Sequence, residues 1–155
     1  MNAPAKSLNR RADPQHVRTS DFERMEETAI QRTTASPGHK ALIVWQRAMD
    51  LVIDCYDVTR TLPNDERFGL TSQMRRAAVS IPSNIAEGHA RRSRQAYCHH
   101  VSIALGSQSE LETLVELCRR LGHTTSPRFE RFEQNLLVVG KLLFGLHRSL
   151  RQDPK

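Results

Sequence analysis

The stretch FGLTSQMRRAAVSIPSNIAEG, residues 68–88, decides the fold. At about 100° per residue, its apolar side chains fall on one arc of a helix: Met74, Ala77, Ala78, Ile81 and Ile85. A neighbouring arc carries short or hydrogen-bonding side chains: Gln73, Arg76, Ser80, Ser83, Asn84 and Glu87. The two arcs together predict an amphipathic helix over about residues 71–87.

The same stretch contains its own start and stop signals. Thr71 and Ser72 are placed to cap the first free amides of the helix. Gly88 is placed to end the last turn in a left-handed conformation. Pro82 lacks an amide hydrogen and its ring crowds the carbonyl of Ala78, which predicts a kink in mid-helix.

Together with IALGSQSELET and LCRRLG further along the chain, this stretch resembles the bacterial four-helix-bundle family named for ribosomal-RNA intervening-sequence proteins. The resemblance covers about Leu42 to Leu150 and implies an antiparallel four-helix protomer, commonly assembled as a homopentamer. Distant relatives include accessory proteins of diversity-generating retroelements, which are basic pentamers that engage nucleic acid and a reverse transcriptase. By that distant analogy, the resemblance implies a protein partner such as a reverse transcriptase. The family name records where some of the genes lie and implies no biochemical activity.

Composition places the chain in a broad class. Its 155 residues suit one domain, and no run of about 18 apolar residues is long enough to span a membrane. The first residues lack the apolar centre of a secretory signal, and three cysteines without paired spacing indicate free thiols. We therefore expect a cytoplasmic protein. The net charge of +6 and pI of about 9.8 allow an anionic partner without requiring one.

The N-terminal residues show no sustained periodicity. They mix Arg, Glu, Ser, Thr, Gln and Pro with few larger apolar residues, so burial cannot offset the entropy of ordering them. We predict a flexible, disordered arm over residues 1–40, with the triplet Ser36-Pro37-Gly38 marking its boundary.

Three further helices are predicted, over about residues 41–62, 94–121 and 127–150. The first has an apolar stripe of Val44, Ala48, Leu51, Cys55, Val58 and Leu62. The next has a heptad seam of Tyr97, Val101, Ala104, Gln108, Leu111, Val115 and Cys118. The last has a heptad of Phe129, Phe132, Leu136, Val139, Leu143, Leu146 and Leu150.

Several short signals mark where these helices begin, end and meet. Ser93 is a predicted N-cap, Gly122 a predicted terminator, and Ser126-Pro127 a helix start. Gly106 and Ser107 in mid-helix favour a close approach to the helix over 71–87. 

The fold class is therefore all-α, an antiparallel up-down-up-down four-helix bundle over 41–151 with a tail at 152–155. The first and last helices carry more apolar surface than one protomer needs, on the faces bearing Leu51 and Phe144. This surplus predicts a homo-oligomer.

No pattern of catalytic or metal-binding residues emerges. A carboxylate di-metal bundle needs Glu followed three residues later by His, and this spacing is absent. His99 and His100 are adjacent, so on a helix they point about 100° apart, and Cys98 adds no zinc pattern. With no nucleophile elbow and no phosphate-cradling glycine loop, we predict no catalytic residue, metal or cofactor.

Arginine clusters are the feature left to carry function. Arg91, Arg92 and Arg94 lie at the start of a helix, where free amides and guanidinium groups can hold a phosphate together. Arg75 and Arg76 form a second candidate cluster. The alternative for each is a solvated face or an ion pair across an interface, and the two readings of the 91–94 group are evenly balanced.

A third arginine cluster and the aromatic residues refine that prediction. Arg119 and Arg120 lie within a turn of Glu116, which favours ordinary helix pairing. The chain has few aromatic residues, and five fall on predicted core arcs: Trp45, Tyr56, Tyr97, Phe129 and Phe132. Few stacking platforms remain, so we expect any nucleic acid to be held by its phosphates, salt-sensitively and without sequence preference.

The polar arc of the helix over 71–87 has two readings. Its residues could line a ligand groove, or they could form a hydrogen-bond seam against the following helix that fixes helix register. We favour the structural seam, whose predicted members are Gln73, Ser80, Asn84, Glu87 and Glu110.

Two functions remain open from the sequence. The first is a non-enzymatic homo-oligomer, a pentamer by the resemblance, that binds nucleic acid, with RNA favoured, as an accessory protein or scaffold. The second is a protein-interaction scaffold that binds an acidic protein partner without nucleic acid. A salt-dependent gel shift with a generic structured RNA separates them.

Overall fold

The computed structural model describes residues 38–124 and 126–152. These residues form four α-helices: α1 (Ile43–Thr59), α2 (Leu70–Ala90), α3 (Arg94–Arg120) and α4 (Pro127–Arg151). Short 3-10 helices at His39–Ala41 and Asn64–Arg67 precede α1 and α2, and no strand occurs in this part of the chain. The all-α prediction is confirmed. The predicted arm up to residue 37 and the last three residues lie outside the described residues.

Contacts between helices show that consecutive helices run antiparallel. Near the start of α2, Met74 Sδ lies 3.6 Å from Cys118 Sγ near the end of α3. Towards the end of α2, Asn84 Oδ1 lies 3.3 Å from Nδ1 of His100 near the start of α3.

The other pairs of consecutive helices also run antiparallel. Arg75 of α2 contacts Thr59 at the end of α1, and Arg94 at the start of α3 contacts Leu150 at the end of α4. Helix α4 also packs on α1, which closes the predicted up-down-up-down bundle.

The hydrophobic core follows the periodicity of the sequence. Every residue of the predicted apolar arc of α2 is buried, as is the α1 stripe from Val44 to Leu62. The α3 seam is buried from Val101 to Cys118, and the α4 heptad from Phe129 to Leu143. One expectation was wrong: Leu51 is fully buried inside the protomer and offers no surplus surface, because its stripe belongs to the core where α1 packs on α2 and α4.

The ends of α2 differ from the predicted ones. Gly69, not Thr71 or Ser72, is the N-cap, and the Glu66 carboxylate accepts a hydrogen bond from the Leu70 amide at 3.1 Å. The helix runs through Pro82 without interruption and ends at Ala90. The chain then reverses through Arg92, which has a φ of 53°.

Gly88 therefore lies inside α2, and its role as a helix terminator was wrong. A Cβ at this position would lie 2.6 Å from His100 Cβ and 2.8 Å from Tyr97 Cδ2. The glycine is needed because α3 approaches the backbone of α2 here. Gly106 has no such role, since a Cβ there would meet nothing within 4 Å, whereas its neighbour Ser107 does contact α2.

The boundaries of α3 and α4 are confirmed. Ser93 caps α3 by accepting a hydrogen bond from the Ala96 amide at 3.4 Å. Gly122 follows α3 with a φ of 77°, and the amide of His123 bonds to the Cys118 carbonyl, as in a Schellman motif. Pro127 is the first residue of α4, where its missing amide hydrogen costs nothing.

Candidate functional site

The bundle distributes its charged residues unevenly along its length. We define the basic end as residues 38–49, 82–104 and 143–152, and the mixed end as residues 50–81, 105–124 and 126–142. The basic end carries seven lysines and arginines against a single acid, Glu87. The mixed end carries nine lysines and arginines against ten acids. The positive charge of the described residues is therefore concentrated at one end.

Two of the predicted arginines lie in the link between α2 and α3, at the basic end. Arg91 pairs with Glu87 at 2.5 Å, and hydrogen bonding from Arg91, with the nearby His100, lowers the pKa of the Glu87 carboxyl. Arg92 is exposed and forms no ion pair with any described residue. Both arginines lie beside the first amides of α3, whose positive dipole end attracts anions.

Arg94 has a different role from its two neighbours. Its guanidinium donates hydrogen bonds to the backbone carbonyls of Ser149 and Leu150, each at 2.9 Å, and to that of Gln152. These carbonyls lie in the last turn of α4, where no amide of the helix remains to bond them. We expected Arg94 to hold phosphate. In the structure most of its donors hold the end of α4, a favourable place for a cation.

The second predicted cluster lies at the mixed end. Arg75 Nε donates to Thr59 Oγ1 at 2.9 Å, and its guanidinium lies 4.6 Å from the centre of the Tyr56 ring. Arg76 is exposed beside a groove of about 520 Å³ that is also lined by Ser80, Ser107 and Glu110. Fifteen residues of helix separate Arg76 from Arg91, about 22 Å, so the two clusters are not one patch.

The predicted polar seam is present in part and has other members. Ser80 Oγ lies 2.8 Å from Ser107 Oγ, and Asn84 Nδ2 donates to the Ser80 carbonyl at 2.9 Å. His100 continues this chain of contacts, with Nδ1 at 3.3 Å from Asn84 Oδ1 and Nε2 at 3.8 Å from Glu87. 

The side chains of Gln73 and Glu110 are exposed and have no hydrogen-bonded partner in the described residues. The structure therefore does not bring them into this network. The sequence predicts that Ser107 approaches α2 but does not include it in the seam, and it misses His100 altogether. Ser107 follows Ala104 and precedes Leu111 at intervals of three and four residues, which places it close to the α3 seam. That spacing could have found it.

Four of the eight arginines at the mixed end are paired with carboxylates. Arg119 and Arg120 both bond to Glu116, at 3.0 and 2.8 Å, as predicted, and Arg119 also bonds to Glu133 of α4. Between α1 and α4, Asp54 accepts from Arg131 at 2.5 Å and from Asn135 at 3.2 Å. Arg119 and Arg131 join different helices, and all three arginines are less available to a ligand because carboxylates already engage them.

Four aromatic rings from four different elements meet at the basic end. Their centres form a chain: Trp45 to His39 at 5.2 Å, His39 to His89 at 6.3 Å, and His89 to Tyr97 at 5.8 Å. Each ring is partly exposed. The prediction that aromatic residues lie in the core holds for Phe129 and Phe132 but was wrong for Tyr56, which is 38% exposed. 

Comparison with known proteins shows which family has this architecture. A family model described as 23S rRNA-intervening sequence protein matches residues 40–145. The chain belongs to this family. No curated protein matches it.

A crystal structure also resembles this member of the 23S rRNA-intervening sequence protein family. It is a protein with unknown function from the S23 ribosomal protein family of Bacteroides thetaiotaomicron. The two chains are 24% identical, with a TM-score of 0.63 over 68% of this chain and 99% of the other. At this identity the likeness shows the fold alone.

Several large apolar side chains of this 23S rRNA-intervening sequence family member are exposed to solvent, as the sequence predicts. On α4, Phe144 is 62% exposed, and on α1, Ile53 is 59% exposed. Ile43, Leu137 and Val138 are further exposed residues of the same two helices. The surplus expected from the sequence is therefore present around Phe144, although not at Leu51.

The cysteines of this family member differ in accessibility. Cys55 and Cys118 are buried, and burial raises their pKa values to about 12 and about 11, respectively. Cys98 at the basic end is partly exposed. Among residues 38–124 and 126–152, no group of three or more His, Cys, Asp or Glu is placed to hold a metal, and no helix is long and apolar enough to cross a membrane.

Proposed function

We propose that this protein is a non-enzymatic, homo-oligomeric accessory protein or scaffold of the cytoplasm that binds nucleic acid, with RNA as the favoured kind. The observation that supports this most is the concentration of seven basic residues against one acid at the basic end. The name of the family, which refers to 23S rRNA, agrees with an RNA partner.

The contact is made by phosphate groups. Arg91 and Arg92 offer guanidinium donors beside the free amides at the start of α3, and the two act on the same anion. Arg148 and Arg151 at the end of α4 extend the positive surface. Because phosphate contacts release counterions, affinity falls steeply with salt and depends little on sequence.

Two of the predicted nucleic-acid-binding residues, Arg94 and Arg75, contribute less to binding than Arg91 and Arg92. Arg94 belongs to the structure of the bundle, since its guanidinium already holds the end of α4. Arg75 is held by Thr59 and Tyr56, which leaves Arg76 as the exposed member of the second cluster. Arg76 lies far enough from Arg91 that only a strand of several nucleotides reaches both.

The test compares two pairs of arginines that lie at opposite ends of α3. A double variant, Arg91→Ala with Arg92→Ala, removes two charges at the basic end, and the matched control, Arg119→Ala with Arg120→Ala, removes two charges at the mixed end. Binding of a generic structured RNA is measured by gel shift over a range of salt. At about 0.1 M salt, the first variant should bind about 25- to 60-fold more weakly, since each lost phosphate contact lowers the salt slope by about 0.7–0.9.

The control variant should retain most of the affinity, because its arginines are engaged by Glu116 and Glu133. Equal losses in the two variants would show that net charge alone governs binding and would refute the basic end as the site. Absence of binding at low salt would refute the proposal as a whole. Poly-glutamate that binds the basic end where RNA does not would favour the alternative, a scaffold for an acidic protein.

Self-association rests on the exposed apolar residues of α1 and α4, and the pentamer rests on the family resemblance. Light scattering coupled to size exclusion, with and without nuclease treatment, gives the subunit number and separates assembly from bridging by nucleic acid. Phe144→Asp should shift the mass towards that of the monomer. A monomer for the unaltered protein at micromolar concentration would refute this part of the proposal.

A further inference from the structure

The basic end also contains a cluster of four aromatic rings, called the ring cluster, that has no part in the proposed phosphate contact. The ring cluster consists of His39 from the 3-10 helix before α1, Trp45 from α1, His89 from α2 and Tyr97 from α3. All four rings are partly exposed, and His89 lies two and three residues before Arg91 and Arg92. Aromatic surface and phosphate-binding groups therefore lie side by side.

We propose that this ring cluster is a stacking platform for an unpaired base, so that the basic end prefers single-stranded nucleic acid over a duplex. The inference rests on the proposed function and names its substrate class. Bases of a single strand stack on aromatic side chains while a basic groove follows the phosphates. In a duplex the faces of internal bases are covered by their neighbours, so a protein reaches only phosphates, sugars and base edges and cannot stack on those faces.

The edge-to-face arrangement of the rings suits this role. Neighbouring rings are inclined by 69°, 68° and 86° along the chain from Trp45 to Tyr97. An inclined pair directs the edge of one ring at one face of the other, so each contact covers at most that one face. Partly exposed rings therefore lie beside the link between α2 and α3 that carries Arg91 and Arg92.

Two of the four rings are held by packing, which reduces the ordering cost of binding. Trp45 and Tyr97 pack against the core, and Tyr97 contacts the backbone of α2 at Gly88. The Tyr97 hydroxyl is buried and has no hydrogen-bond partner among the described residues. The ring of Tyr97, not its hydroxyl, is therefore the part that serves the platform.

Trp45 is the only tryptophan of the chain and so reports on the platform directly. The experiment titrates the full-length protein with a 12-nucleotide oligouridine, an oligodeoxythymidine of equal length and a 12-base-pair RNA duplex, and follows both Trp45 fluorescence and affinity. Both single strands should change the fluorescence of Trp45 and bind at least about tenfold more tightly than the duplex, a difference within the range of one stacked base.

Variants separate stacking from folding. His39→Ala with His89→Ala should lower single-strand affinity about tenfold or more and leave duplex affinity unchanged, whereas His89→Phe, which keeps a ring, should retain the preference. Tyr97→Phe also keeps the ring and should bind as the unaltered protein does. Circular dichroism checks that each variant is folded. If a variant is not folded, the platform is tested by the Trp45 fluorescence of the unaltered protein with the single strands and with the duplex.

Equal affinity for single strands and duplex, with no change in Trp45 fluorescence, would overturn the platform and leave the proposed phosphate contact intact. No binding of any of the three probes would overturn both.

Discussion

The two ends of the bundle use the same residue type in opposite ways. At the mixed end, Arg119, Arg120 and Arg131 bond to carboxylates, and the pairs of Arg119 with Glu133 and of Arg131 with Asp54 join helices to each other. At the basic end only one carboxylate is present, and Arg92 has no ion-pair partner in the described part of the chain. The comparison teaches that an arginine pair in a sequence is ambiguous until its neighbours across the bundle are known.

One glycine at each end shows a second contrast, in the space around the backbone. At the basic end, α3 lies so close to α2 that position 88 has no room for a side chain. At the mixed end, the glycine of α3, Gly106, faces open space. Five predictions break or sharpen the contrast between the two ends, and they begin with the largest effect.

Thiol reactivity should differ most strongly between the ends. At pH 8, thiols with pKa values of about 12 and about 11 are less than about 1% thiolate, so Cys55 and Cys118 at the mixed end should be nearly inert to Ellman's reagent. Cys98 at the basic end is partly exposed and should react first. One fast equivalent in the native protein and three after denaturation are expected, and Cys98→Ser should remove the fast one.

The same pKa shifts make a prediction about alkaline stability. The folded protein holds the protons of Cys55 and Cys118 more tightly than the unfolded chain, whose thiols titrate near their model value of 9.0. The stability that this supplies is complete below pH 9 and is lost as the pH rises towards 11 and 12. A melting temperature that does not fall over this range would contradict the burial of the two thiols.

The same substitution at two glycines should have opposite effects on stability. Gly88→Ala should destabilise by about 1–3 kcal/mol, because its Cβ overlaps His100 and Tyr97 and the helices must move apart. Gly106→Ala should stabilise by about 0.5–1 kcal/mol, since nothing crowds it and alanine favours the helix. Urea unfolding of both variants measures the difference, and a shared sign would show that α2 and α3 do not approach as described.

Removing one acid from each end should separate their binding roles. Glu87→Gln removes the single acid of the basic end and releases Arg91 from its ion pair, so affinity for RNA should rise by up to a few-fold at low salt. Glu116→Gln makes the same change in charge at the mixed end and should have a much smaller effect. Gel shifts at matched salt test this, and an equal gain in both variants would count against a localised site.

The smallest expected effect concerns Arg94. Arg94→Ala should destabilise by about 1 kcal/mol, because three carbonyls at the end of α4 lose their donor, although water replaces part of the bonding at this exposed site. Arg120→Ala, which removes an exposed ion pair, should cost less than about 0.5 kcal/mol. Hydrogen exchange in the last turn of α4 should rise in the first variant alone, and equal exchange in both would reject the capping role.

What the sequence by itself determined is the fold. The apolar periodicity of each helix, the caps at Ser93 and Pro127 and the stop at Gly122 are local features, and they specify four amphipathic helices joined by short links. Because short links require neighbouring helices to reverse, the bundle and most of its core follow from these features alone.

The tertiary structure decided the rest, since each remaining feature depends on residues far apart in the chain. Gly88 looked like a helix terminator because its contacts lie on α3, and Arg94 looked like a phosphate ligand because the carbonyls it holds lie more than fifty residues away. The concentration of positive charge and the four-ring cluster likewise exist only once separate elements meet at one end. Periodicity specifies which face of a helix is buried, but only packing decides which side chains become neighbours.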